Sequence, residues 1–136
     1  MRLGACVLIS LGVALAAERA VAESASAPAG RPPYEGLWGT SEAACRDEDG
    51  VDRMEIGKGR FFWYETRCRA QAVTAETSRA WTMRLSCEGE GQRFSARPRL
   101  ILETPDRLVM QAAPVGPRRR QVYRRCAGRP PSAIRP

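Results

Sequence analysis

The residues with the most definite chemistry in this 136-residue chain are Cys45, Cys68, Cys87 and Cys126. Their spacing is too wide for the paired short-range ligands of a zinc knuckle, and the chain has no histidine to complete such a site. Four cysteines in a small exported domain instead read as two structural disulfides. Three pairings are open. A turn near Glu76–Arg79 would bring Cys68 opposite Cys87, leaving Cys45 to join Cys126 across the first and last strands. The favoured pairing is Cys45–Cys68 with Cys87–Cys126, each fastening one half of the domain, because directly opposed neighbours gain little added constraint.

The missing histidine also removes the usual general base of Ser/His and Cys/His hydrolases. No Gly-x-Ser-x-Gly elbow or phosphate-binding loop is present. Glu65 and Glu88 are the carboxylates nearest the aromatic segments, and a glycosidase would need such a pair across a cleft. Cross-strand ion pairs with Arg67, Arg69 or Arg84 are the simpler expectation. The acidic run Asp47-Glu48-Asp49-Gly50-Val51-Asp52 fails the calcium-loop pattern, with Gly at the fourth position and Lys58 at the twelfth. We therefore expect no enzyme, no cofactor and no metal site.

Binding chemistry is better represented. Phe61-Phe62-Trp63-Tyr64 cannot place every ring in one small core, so two rings should point outward or line a cavity. With Trp38 and Trp81, the residues Phe61, Trp63 and Tyr64 are the candidate walls of a site for a small apolar or amphipathic ligand. The chain carries 22 basic residues against 15 acidic, a net +7. Arg118-Arg119-Arg120 and Arg124-Arg125 form the densest basic segment, which could face an anionic envelope surface.

These residues need a scaffold, and the N-terminus indicates where it is built. Met1-Arg2, the apolar run Leu3–Ala17 and Ala20-Val21-Ala22 form a secretory signal over 1–22, too short to span a bilayer. Its removal discards Arg2, Arg19 and Glu18, lowering the net charge of +7 to +6. It also discards Cys6, turning five cysteines into four. The expected location is periplasmic or secreted, which argues against nucleic acid as the partner and leaves no transmembrane segment. Residues 23–33 read as a flexible Pro/Ala/Ser-rich leader and 127–136 as a disordered basic Pro-rich tail. The folded unit is then 34–126, expected as a monomer.

Within 34–126 the apolar period is two. Trp81, Met83, Leu85 and Cys87 face one way and Thr82, Arg84, Ser86 and Glu88 the other, as in a half-buried antiparallel strand. Phe61 to Cys68 reads as one strand. Gly57-Lys58-Gly59, Glu88-Gly89-Glu90-Gly91 and Thr104-Pro105-Asp106-Arg107 read as turns, and Gln121 to Cys126 as the last strand. Ser41 could cap a short helical turn. The expectation is an all-β domain, a small antiparallel up-and-down barrel or sandwich of about seven or eight strands stapled by two disulfides.

Gly36-Leu37-Trp38 at the start of the first strand resembles the Gly-x-Trp that opens lipocalin-like (calycin) barrels. The resemblance implies an Arg on the last strand lying over that Trp, a role open to Arg124 or Arg125, and a guanidinium over an indole face is a favourable cation–π pair. In size the chain is similar to the small periplasmic barrels that inhibit bacterial proteases or lysozymes. Two functions follow as expectations: a non-enzymatic binding protein holding a small ligand, or an inhibitor or structural partner of an envelope protein.

Overall fold

A computed structural model describes residues 30–117 and 119–127. The signal-peptide reading of 1–22, most of the leader and almost all of the tail lie outside the described residues. Nine strands and one short helix follow in order: β1 (Gly36–Gly39), α1 (Glu42–Arg46), β2 (Arg53–Gly57), β3 (Arg60–Trp63) and β4 (Thr66–Thr77). Then come β5 (Ala80–Gly89), β6 (Gln92–Ala96), β7 (Arg99–Thr104), β8 (Arg107–Gln111) and β9 (Arg120–Arg125). Every pairing is antiparallel. Strands β1–β2–β3–β4–β5–β7–β8–β9 close on themselves through β9–β1, giving an eight-stranded barrel plus the extra strand β6.

β6 and β7 are two parts of one descending run. Both lie on the same edge of β5, β6 along Leu85–Gly89 and β7 along Ala80–Thr82. Pro98 stands between them; it has no N–H to give the ladder, and its carbonyl accepts from Met83 N at 3.0 Å. The up-and-down meander is therefore continuous around the barrel.

Local chemistry fixes the hairpins. Lys58-Gly59 and Glu90-Gly91 each have both φ angles positive, at 52° and 72° and at 49° and 73°. That is the two-residue turn whose twist matches its flanking strands, with glycine in the second place. The Phe61–Cys68 stretch corrects the reading of a single strand: it breaks at Tyr64-Glu65 into β3 and β4. Glu65 adopts φ 60° there, a left-handed position without the glycine that would announce it. α1 begins where Ser41 Oγ accepts from Ala44 N at 3.0 Å, satisfying an otherwise orphaned donor.

The alternation of β5 sends Trp81, Met83, Leu85 and Cys87 inward and leaves Thr82, Arg84, Ser86 and Glu88 exposed. They join Trp38, Met54, Ile56, Phe61, Trp63, Leu100, Leu108, Met110 and Tyr123 in one continuous core. An eight-stranded barrel is just wide enough to be filled by side chains or to hold one small ligand. Here three indoles, a phenyl and two phenols belong to the core cluster.

The disulfides correct the favoured pairing. They are Cys45–Cys126 and Cys68–Cys87, with Cα separations of 5.5 and 4.0 Å. Cys68 and Cys87 face each other in register on the inward side of β4 and β5. Cys45 sits on α1 against Gly39, outside the wall, where it meets Cys126 at the end of β9. Barrel topology decides which sulfurs meet, whatever entropy each bridge removes from the unfolded chain.

That entropy does grade the two bridges. Cys45–Cys126 closes a span of 81 residues and Cys68–Cys87 one of 19. Replacing the first pair by serine should cost about 4–5 kcal/mol, and the second about 3 kcal/mol, on a loop-entropy basis. Urea unfolding of both double mutants checks the order, and a larger loss at Cys68–Cys87 would refute it.

Candidate functional site

The residues proposed as a ligand wall divide sharply. Trp38 is 0% exposed, and its indole N–H donates to Tyr34 O at 2.9 Å. Phe61 and Trp63 stack inside the barrel with centroids 6.0 Å apart, and Trp63 Nε1 donates to the Tyr123 hydroxyl at 3.4 Å. Trp81 meets Tyr34 edge to face at 4.8 Å. Burial raises the Tyr123 phenol above its ordinary range, with the Trp63 bond partly opposing it. These rings pack against one another. Tyr64 is separate from them, 44% exposed at the β3–β4 turn, while Phe62 points outward and is half-buried.

Of the two terminal arginines, Arg125 lies over Trp38, its Cζ 4.2 Å from the ring centroid. Arg124 is exposed and opposite Arg107 and Gly39. Arg125 also donates from Nε to Pro105 O (2.9 Å), from Nη1 to Glu35 O (3.0 Å) and from Nη2 to Pro33 O (2.8 Å). One side chain thus holds the chain entering β1, the β7–β8 turn and the last strand together. Its partial burial lowers the guanidinium pKa, with Asp106 opposing that shift, yet the group stays charged.

A groove of about 1340 Å³ lies on the outside of β2 to β6. Register builds it in two rows. One runs Glu55–Phe62–Arg67–Glu88–Arg93, the other Gly57–Arg60–Arg69–Ser86–Ser95. Acidic groups gather at the upper rim, where Glu65 and Glu90 sit on the turns and Glu48 and Asp49 on the loop after α1. The cross-strand ion pairs expected of Glu65 and Glu88 do not occur among the described residues, although Glu88 lies directly between Arg67 and Arg93.

Glu55 is the anomalous group of this groove. Its Oε1 is buried without a hydrogen-bond partner among the described residues, and desolvation raises its pKa, with Arg53 partly opposing the shift. Sequence reasoning missed it, together with Arg60 and Arg93, and read Arg67 and Arg69 only as ion-pair partners of Glu65 and Glu88. Their signal was the period-two spacing of Arg67 and Arg69, which sets both on one face of a strand.

Compared with known proteins, the chain matches no family model, no curated protein and no solved structure. Its class rests on its own geometry: a closed, disulfide-linked, all-β barrel with a packed interior and a polar groove on its wall.

Arg125→Ala should cost about 2–4 kcal/mol, since charge-assisted bonds contribute roughly 1.5–3 kcal/mol each when well formed and the site is partly solvated. Arg125→Lys should recover less than half of that, lacking the planar fork, while Arg124→Ala should stay within about 0.5 kcal/mol. Thermal unfolding reads all three, and equal losses at Arg124 and Arg125 would refute the clasp. For Glu55, a raised folded pKa means the native state holds its proton more tightly than the unfolded chain. Stability from this group is full at low pH and falls as pH rises from the unfolded to the folded pKa. Glu55→Gln should therefore raise Tm at pH 7 and lose that advantage once pH drops below the carboxylate range. A gain independent of pH would point to packing.

Proposed function

We propose that this chain is an exported, non-enzymatic binding protein that meets its partner with the outer wall of the barrel. The observation that carries the reading is the filled interior. Trp38, Phe61, Trp63, Trp81 and Tyr123 occupy the space in which a carrier would hold its ligand. The polar groove of about 1340 Å³ lies on the other side of the wall. Ligand sites are concavities lined by a few convergent polar groups, and the groove meets that description. A smaller hollow of about 790 Å³ beside β1 is lined by Arg31, Arg79 and Arg125, which are already bonded to Glu35 and to backbone carbonyls.

Location is supported by chemistry. Two disulfides belong to an oxidising compartment. No helix among the described residues is long and apolar enough to cross a membrane. The Trp38–Arg125 stack behind Gly36-Leu37 supports the calycin-type comparison, and with it the small envelope barrels that act on other molecules from outside.

An apolar fluorescent probe tests the choice between lumen and wall. Titrated against the folded protein, it should give no saturable change in tryptophan emission at equimolar ratio. Saturable one-to-one uptake with quenching, reversed by a fatty acid, would return the ligand to the lumen.

A further inference from the structure

The arginines of this protein fall into two populations. Arg31, Arg46, Arg53, Arg99, Arg107, Arg120 and Arg125 each meet a carboxylate within 4.0 Å. Among the described residues nine others carry no ion pair, and four of these, Arg60, Arg67, Arg69 and Arg93, line the groove together. Arg60 and Arg69 stand directly opposite one another across β3 and β4. Like charges in that position repel, and in a sheet the arrangement is destabilising. Arg107 and Arg124 are opposed in the same way on β8 and β9, but there Arg107 has Glu103 as a partner, whereas neither Arg60 nor Arg69 meets a carboxylate among the described residues.

Their row contains no acid. Arg60 and Arg69 are followed in register by Ser86 and Ser95, so two guanidiniums and two hydroxyls lie across four strands. Three strand spacings of about 4.8 Å make a track of about 14 Å. Guanidinium groups take carboxylate or sulfate oxygens in pairs, and hydroxyls complete such contacts. Phe62, two residues from Arg60 on the same outward face, adds a half-buried ring beside the track.

Resting on the outer-wall reading, we infer that this row is the binding track for a linear acidic polysaccharide. Shape and charge select that occupant. A flat anionic membrane would also face Glu65, Glu90, Glu48 and Asp49, which line the same groove, whereas a thin chain can follow the acid-free row. Single-stranded nucleic acid is held by several open aromatic faces; in the Phe61–Tyr64 block, Phe61 and Trp63 are buried. A sugar polymer needs neighbouring charges met and one apolar ring face; the row supplies two adjacent guanidiniums followed by hydroxyls, and Phe62 of the neighbouring row supplies the ring.

Polygalacturonate is the probe, with binding to the full folded protein measured by calorimetry at low and moderate salt. Binding should saturate and weaken with salt. Arg60→Ser with Arg69→Ser should weaken it about tenfold and flatten the salt dependence by roughly 1.4 in log–log slope, about 0.7 for each guanidinium removed. Tm should hold or rise in that variant, since a repulsion is removed, and Arg119→Ser should bind as wild type does. Three results would overturn the inference: no binding, binding that ignores the double substitution, or equal binding to polyglutamate, oligo-dT or anionic phospholipid vesicles. Equal binding that still depends on Arg60 and Arg69 removes the polysaccharide and leaves the outer-wall reading intact. Absence of polymer binding together with saturable uptake of the apolar probe removes both.

Discussion

Closure of the barrel between β1 and β9 is the constraint on which the rest of the molecule depends. Only two residue pairs are in register there, Trp38 with Arg125 and Gly39 with Arg124. A ladder so short cannot hold the ends of a domain together, since each net hydrogen bond is worth only about 1 kcal/mol. The chain compensates by crowding other interactions into that seam. Arg125 covers Trp38 and binds three carbonyls from two other segments. Cys126 N donates to Leu37 O at 2.9 Å, and its sulfur is bonded to Cys45. Gly36 is part of the same device. A Cβ there would lie 2.6 Å from Arg125 Nη1, and its φ of 147° suits a residue without one.

A closed seam determines what the interior can be. With 16 buried residues in one cluster, the barrel uses its bulky rings to fill itself. A small domain buries a modest share of its surface, and an open lumen would remove core that it needs for stability. The two disulfides divide the remaining task. One ties the ends of the chain at the seam, the other cross-links the long β4–β5 hairpin from inside. On the proposed reading, recognition falls to the outer wall, where register decides which side chains of neighbouring strands meet.

Local signals in the sequence were legible where a residue's own conformation or a single strand sufficed. The alternation over Trp81–Glu88, the glycines of the Lys58-Gly59 and Glu90-Gly91 turns, and the Ser41 cap are of this kind. The β3–β4 turn was not legible because Glu65 takes a left-handed φ with no glycine to mark it. Choosing between Arg124 and Arg125 required the phase of β9, and one residue of slip exchanges the two faces of a strand. The disulfide partners depended on closure, which places Cys45 beside Cys126 despite the 81 residues between them. The groove was the least legible feature, since its two rows draw on four or five strands at once and no segment holds more than two of the arginines.

The unusual electrostatics of the groove fit the same reading. Glu55 lies at one end of a row whose next member is Phe62, so its carboxyl is partly desolvated by an aromatic neighbour and by Leu37, opposite it on β1. At the other end, Arg67 and Arg93 flank Glu88 in register without an ion pair to it. A wall selected only for solubility would place opposite charges together, because cross-strand pairs of opposite sign stabilise a sheet at no cost to the core. This wall leaves one carboxyl under-hydrated and two arginines opposed. Such local conflicts with stability concentrate where a surface is kept for something other than folding. The strong interactions at the β1–β9 seam give the fold enough margin to tolerate them.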